Sequence, residues 1–416
     1  MTSRERVKRA LNHEAPDKIP LDLGSTPVTG ISASTLSKFR KALGLADRLV
    51  KVHEPFQILG RVEEDALDVL NIDVVGIEVR TTFFGYTNER WKPWRTGDGT
   101  NVLVGEGFTT TADEQGNLFL YPGGDMTAQP CARMPKGGFY FDALVRQGPI
   151  DPEQLDPEEW GKQMFTKFTA EDLNHIERQA SNLYHNTERA IIGNFGQGGL
   201  GDIAFVPGPW VKEPKGIRAP EEWYIAHLLY PEYIKGIFEL QTEIALQNLE
   251  LYRQAVGDKI EAIFISGTDF GTQIGPFISP DLYREMYKPL HKKINEWVHA
   301  NTTWKTFFHS CGSILVFLDD FIDAGVDIIN PVQCSAAGMD AKMLKEKYGE
   351  SLVFWGGGID TQRTLPFGTP DEVKEQVKER IEIFGQGGGF VFSAIHNIQP
   401  QTPIANLVAL FEAVRG

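Results

Sequence analysis

The feature that most constrains this chain is a rhythm, in which apolar runs of strand length alternate with helix-like segments along nearly the whole sequence. The runs are "DKIPLDLG" around Ile19–Leu23, "IDVVGIEV" (Ile72–Val79), "RAIIGNF" (Arg189–Phe195), "KIEAIFISG", "KTFFHS", "VDIINPV", "LVFWGGG" and "GFVFSA". Between them, apolar residues recur with helical spacing over Ser32–Leu45, Arg61–Leu70, Thr169–Glu188, Ala219–Val256, Pro280–Ala300, Ile314–Ala324, Lys342–Tyr348 and Pro370–Phe384, and "PIANLVALFEAV" closes the chain. Short β-rich runs separated by helices call for parallel strands joined by crossover helices. Eight such runs is the number a (β/α)8 barrel requires. The expected fold is therefore α/β, a TIM barrel formed by residues 1–416 as a single domain.

One segment breaks the rhythm. Residues 81–148 carry the turn signals TNE, GDG and EQGN between short β-prone runs, which predicts an antiparallel β-rich insertion after the second strand, over or beside the barrel mouth. Its aromatic residues Phe83, Phe84 and Trp91 are expected to shape the pocket, and "GPIDPEQLDPEEWGKQ" reads as a polar return path.

Whole-chain properties narrow the partners. A formal charge of −15, from 41 Lys and Arg against 56 Asp and Glu, repels phosphate backbones and anionic lipid, so neither nucleic acid nor a membrane surface is expected. The N-terminal stretch lacks a signal-type apolar core and no window approaches 18 uncharged apolar residues, which fits a soluble cytoplasmic protein. Three cysteines, Cys131, Cys311 and Cys334, are too few for a disulfide framework, so reduced thiols are expected.

In a parallel barrel the strand ends and the loops after them share one mouth. The polar residues at those ends are Asp22, Glu78 and Arg80, Asn194, Asp269, His309 and Cys311, Asn330 with Gln333 and Cys334, Asp360, and His396 with Asn397. His309 and Cys311 stand two apart at a strand end and can face one side, offering imidazole and thiolate, a pair suited to zinc. A third ligand must come from elsewhere, and Cys334 and His396 both qualify. The plainer alternatives are a buried Cys acting as a small hydrophobe and a loop His that is merely hydrogen-bonded. Asp269 is a candidate acid, base or anchor, or else a turn cap. "WGGGID" and "FGQGGGF" lack the spacing of phosphate-binding loops, so they read as close backbone approach and a tight turn.

At "HSCG", "DIINPVQCSAAGMD", "FWGGGIDTQRTLPFGTPDEV" and "HNIQPQTP" the chain resembles the uroporphyrinogen decarboxylase-like superfamily, and within it the cobamide-dependent methyltransferase branch. The opening "TSRERVKRALNHEAPDKIPLDL" and "DFGTQIGPFISPDLYREMYKPLHKKI" fit the same superfamily. The resemblance implies a zinc ion held by His309, Cys311 and a third ligand, usually Cys, in a C-terminal segment ending Pro-x-Thr-Pro; here His396 occupies that place, with Cys334 as the alternative. It further implies methyl transfer from a small methylated donor, a methyl ether such as an aryl methyl ether or a methylamine, to the Co(I) corrinoid of a partner protein, as in O-demethylase systems. No Asp-x-His-x-x-Gly corrinoid-binding pattern is present in this chain, so the corrinoid is expected on a separate protein. Asp269 and Glu78 are the expected catalytic residues, and Gln333, Asn194, Asp360 and Asn330 the expected substrate contacts.

Rival expectations are transfer from a methylcorrinoid to a thiol of coenzyme M type, a decarboxylase, and a non-catalytic relative that binds a small molecule. The decarboxylase pattern of an Arg-rich "MRQAGRY"-type segment is replaced here by "LDLGSTPVTGIS", which leaves little to grip a polyanionic tetrapyrrole. A homodimer is the base-rate expectation for the assembly.

Overall fold

The computed structural model describes residues 1–416. Seven short strands rich in Val, Ile and Phe form one parallel sheet, in the order Val74–Ile77, Ala190–Asn194, Ala262–Ser266, Lys305–His309, Ile328–Asn330, Val353–Trp355 and Phe390–Val391. Every neighbouring pair is parallel, and from Ala190 onward helices connect each strand to the next. This is a mixed α/β architecture compatible with a (β/α)8 barrel.

The first expected strand, Ile19–Leu23, is reduced to one residue. Leu21 bridges Phe392 in parallel. Asp22 N–H donates to Phe392 O at 2.9 Å and Phe392 N–H to Pro20 O at 2.8 Å, while Leu21 O accepts from Asp73 N–H at 2.8 Å, just before the opposite edge strand. The cause is local. Pro20 has no N–H to give a ladder. The Asp22 carboxylate takes Ser25 N–H at 3.1 Å and the Ser25 hydroxyl at 2.8 Å, curling the chain into a turn instead of extending it.

The sheet's two faces bury different cores. Val74, Ala190, Ile192, Ala262, Phe264, Phe307, Ile328, Val353, Trp355 and Val391 form one closed cluster, every second residue of the strands, whereas a much larger cluster fills the space between the sheet and its helices. Strands of two to five residues gain little from their ladders alone. Burial worth roughly 1.5–3 kcal/mol per large apolar side chain is what holds them. Val7, Ala10 and Leu11 of the helix Ser3–Leu11 join the inner cluster and close its N-terminal end. Arg6 of that helix reaches Asp73 at 2.6 Å with both side chains buried. This helix was not anticipated, although "TSRE" carries its capping box, Thr2 with Glu5.

Helix expectations required three corrections. The stretch Ala219–Val256 is two helices, Pro220–Leu229 and Pro231–Val256, because Pro231 restricts Tyr230 before it and cannot continue the ladder. Pro280–Ala300 likewise divides into Pro280–Met286 and Lys288–Asn301, with Pro289 in the first turn of the second. The "return path" holds the helix Pro157–Met164, capped by Asp156.

Residues 81–148 do not form one antiparallel unit. Lys92–Arg95 and Asn101–Val104 make a hairpin, which joins the earlier strand Val50–Glu54 in parallel through Val50–Val102 and Lys51–Leu103. Val50–Glu54 lies ahead of the second barrel strand and was missed from the sequence. Thr110–Ala112, Leu118–Leu120, Ala132–Met134 and Asp142–Ala143 form a separate antiparallel meander. No helix is long and apolar enough to cross a membrane.

Candidate functional site

The strand Lys305–His309 carries the core of the site. Alternation puts Phe307 in the inner cluster and His309 on the same side one step nearer the strand end, where it is 4% exposed. Phe307 packs edge to face on Trp355 and at a tilt on Phe264, with ring centroids 5.3 and 5.4 Å apart, and the three make an apolar floor beneath it.

Asn330, paired with His309 in the ladder, sets the imidazole. Its amide nitrogen donates to Trp355 O at 2.8 Å, so its oxygen must face His309, whose Nδ1 lies 2.6 Å away. Nδ1 therefore carries the proton, and the Nε2 lone pair is free. Nε2 points toward Cys311 Sγ at 3.3 Å and Asp269 Oδ1 at 3.6 Å.

Cys311 is held through its backbone. Its N–H donates to Asp269 Oδ1 at 2.6 Å, and the next N–H, of Gly312, donates to Gln333 Oε1 at 2.8 Å. Gly312 has φ +86°, and a Cβ there would sit 2.5 Å from Gly271 O, so only glycine lets this loop press against the preceding one. His396 arrives from the loop after the last strand, its ring centroid 5.6 Å from that of His309. Its neighbour Asn397 fastens that loop, accepting from Gly30 N–H at 2.5 Å and donating to Pro27 O at 2.8 Å.

One ligand atom from each of His309, Cys311 and His396 lies within 4.8 Å of the others. The 3.3 Å between Nε2 and Sγ is close to the edge of a tetrahedral zinc site, roughly 3.5 Å for the usual Zn–N and Zn–S bonds. Burial pushes both imidazoles down to about 4, helped at His396 by the neighbouring His309, so both are neutral ligands at pH 7. Burial and then the Asp269 charge push the Cys311 thiol well above its ordinary value. No cation of the protein is placed to favour the thiolate; a metal ion would. The residues fit a borderline-soft divalent cation with two nitrogens and one sulphur.

The other predicted residues are scattered. Cys334 packs against the outer core, its thiol pushed up to about 11 by burial, with Arg380, Asp340 and Glu379 as its charged surroundings, outside the three-ligand group. Glu78 is ion-paired with Arg61, and the Nδ1 of His53 is 3.8 Å from its carboxylate. Asp360 caps a turn through Gln362 and Arg363 N–H at 2.7 and 3.2 Å. Asn194 donates to Ser25 O at 2.9 Å and Ile77 O at 3.2 Å, leaving its Oδ1 buried without a partner. Asn330 and Gln333 position His309 and Gly312. Phe83 packs on Phe205 and Trp210, Phe84 is buried, and Trp91 instead stacks beneath Arg61.

Sequence reasoning missed Asp202 in "GQGGLGD". Its Oδ2 lies 3.2 Å from where a Cβ on Gly267 would be, and burial, with Asp269 adding to it, pushes its carboxyl up to about 7. Burial, then the Asp269 and Asp202 charges, push the Tyr224 hydroxyl well above its ordinary value. Nothing local marked Asp202, since its neighbours are distant in sequence.

Comparison with known proteins gives concordant results. Uroporphyrinogen decarboxylase of Coxiella burnetii, in each of three strains, is 29% identical over 87 residues, 20% of this chain and 23% of that protein. The alignment thus spans under a quarter of those relatives' length. A methyltransferase from Methanosarcina mazei shares the fold, with a TM-score of 0.53 and 17% identity over 100% of this chain and 98% of that one. The uroporphyrinogen decarboxylase (URO-D) family model matches residues 203–416, the half of the chain that supplies Asp269, His309, Cys311 and His396. The chain belongs to the uroporphyrinogen decarboxylase (URO-D) family.

Proposed function

We propose that this protein is a zinc-dependent methyltransferase that moves a methyl group from a small methylated donor, a methyl ether such as an aryl methyl ether or a methylamine, to the Co(I) corrinoid of a partner protein. The observation that carries this reading is the two-nitrogen, one-sulphur donor set, with the His309 tautomer already fixed by Asn330 so that Nε2 faces the sulphur. The Methanosarcina mazei methyltransferase fold supports it. In this reading residues 1–416 act as one barrel domain whose first strand has shrunk to Leu21, and whose mouth is shaped by the segment 81–148. A thiolate ligand and a reduced corrinoid partner both suit the cytoplasm.

When bound, zinc supplies Lewis acidity to the oxygen or nitrogen that leaves the methyl group, worth several kcal/mol of barrier. The chain's own residues do the positioning. Asn330 fixes His309, Asp269 and Gln333 hold the Cys311–Gly312 turn, and Asn397 fixes the loop of His396. The floor of Phe264, Phe307 and Trp355 keeps water from below.

The test is to mix zinc-loaded protein with a corrinoid protein reduced to Co(I) and a panel of aryl methyl ethers and methylamines. Appearance of the methyl–cobalt absorbance with at least one donor, lost in His309→Ala, is expected. Zinc-loaded protein that methylates cobalt from no donor overturns the proposal.

A further inference from the structure

Asp22 ends the shortened first strand and takes no part in the donor set. It is 2% exposed, yet none of its three hydrogen-bond donors is charged. Asp73, also buried, has Arg6 at 2.6 Å. A carboxylate buried without a cation is costly, and closing a turn does not call for one, since serine or asparagine caps the same turn. What sets Asp22 apart is where its partners lead.

One arm runs to His309. Asp22 Oδ2 accepts from Trp355 Nε1 at 2.9 Å, and Trp355 belongs to the inner cluster, so this bond places the carboxylate inside the ring of strands. The Trp355 carbonyl accepts from Asn330 Nδ2 at 2.8 Å, and Asn330 Oδ1 accepts from His309 Nδ1 at 2.6 Å. The other arm runs to His396. Asp22 Oδ1 accepts from the Ser25 N–H at 3.1 Å and Oδ2 from the Ser25 hydroxyl at 2.8 Å. Ser25 lies in a loop closed by the Gly24 N–H on Thr29 O at 2.8 Å, with Val28 resting on the inner cluster. Pro27 O of that loop accepts from Asn397 Nδ2 at 2.8 Å, and the Gly30 N–H donates to Asn397 Oδ1 at 2.5 Å, which pins the residue next to His396.

We infer that Asp22 is a positioning residue of the metal centre, and that its one carboxylate aims both histidines through these two hydrogen-bonded arms. His309 and His396 arrive on separate strands, and nothing else described here ties the support of one to the support of the other. A metal site is as tight as the outer contacts that orient its ligands. The inference rests on the metal-binding part of the proposed function and on none of its methyl chemistry.

Cobalt(II) is the probe, because its visible bands report coordination geometry where zinc is silent. The full-length protein competes for it against a chromophoric chelator at pH 7. Asp22→Ala should bind cobalt about 10- to 100-fold more weakly, the usual effect of losing an outer contact, and with shifted bands. Asp22→Asn keeps one oxygen for Trp355 Nε1 and the Ser25 hydroxyl, so it should fall between Asp22→Ala and the native protein. Phe411→Ala opens a cavity in the outer core against Phe39, 5.5 Å away between ring centroids, and is the control for stability alone. It should lower the thermal midpoint and leave affinity and bands native. The inference is overturned if folded Asp22→Ala binds cobalt as the native protein does, or if Phe411→Ala weakens binding as much. Should Asp22→Ala not fold, Trp355→Phe and Ser25→Ala each cut one arm, and native affinity in both overturns it equally. A native protein that takes up no cobalt sinks this inference and the proposed function together. A zinc-loaded protein that methylates no corrinoid, with the cobalt series as expected, sinks the function alone.

Discussion

Replacing Asn330 by Ala tests whether the His309 imidazole is preset for a metal. The side chain is fully buried and joins His309 Nδ1 at 2.6 Å to Trp355 O at 2.8 Å. Its removal strands one donor and one acceptor in a dry interior. At about 1–3 kcal/mol for each unsatisfied group, the fold should lose about 2–6 kcal/mol. Freed from its partner, His309 can flip or change tautomer, and loss of such an outer contact typically weakens metal affinity about 10- to 100-fold, or about 1.4–2.7 kcal/mol. Asn330→Asp keeps the acceptor for Nδ1 and loses the bond to Trp355 O, so it should keep the affinity while still losing stability. Competition for zinc against a chromophoric chelator at pH 7, with far-ultraviolet circular dichroism to confirm folding, reads both effects. A folded Asn330→Ala protein whose zinc affinity stays within about threefold of the native value would refute the reasoning.

Cys334→Ser should retain one zinc per chain and Cys311→Ser should lose it, by elemental analysis of purified protein; the opposite pattern would move the site to Cys334. Arg6→Ala leaves the buried Asp73 carboxylate without its 2.6 Å partner and should cost about 3–5 kcal/mol in urea unfolding, so a cost under about 1 kcal/mol would show that the N-terminal helix is not a structural plug. Glu261 is 5% exposed and burial pushes it up to about 7. Between roughly pH 4.3, its unfolded value, and about 7 the folded chain keeps a proton that the unfolded chain has released, so stability falls as pH rises. Glu261→Gln keeps an acceptor for Ile191 N–H and should remove that part of the slope; parallel stability curves for the two proteins between pH 5 and 7 would contradict it.

What could be read from the sequence follows the range of the forces involved. Seven of the eight expected strands appear within a few residues of their predicted places, because alternation and β-branched content act locally. The eighth failed at Leu21 because Pro20 and the Asp22 side chain compete with the ladder, a signal that was present but outweighed by the apolar pattern. Tyr230–Pro231 was equally visible as a break in the long helix. The pairing of Val50–Glu54 with a hairpin fifty residues later could not be read, since parallel pairing leaves no local trace. At the site, the His309–Cys311 spacing was legible because residues two apart around a strand end can face one side. That His396 lies beside them depends on where the last strand sits in the sheet, and Asp202 on a contact between separate loops.

The central claim is that His309, Cys311 and His396 hold zinc together. X-ray absorption at the zinc edge of the native protein reads that shell directly. Two nitrogen ligands at roughly 2.0–2.1 Å and one sulphur at roughly 2.3 Å are expected, with the sulphur retained in Cys334→Ser. A shell with no sulphur, or with two, would contradict it.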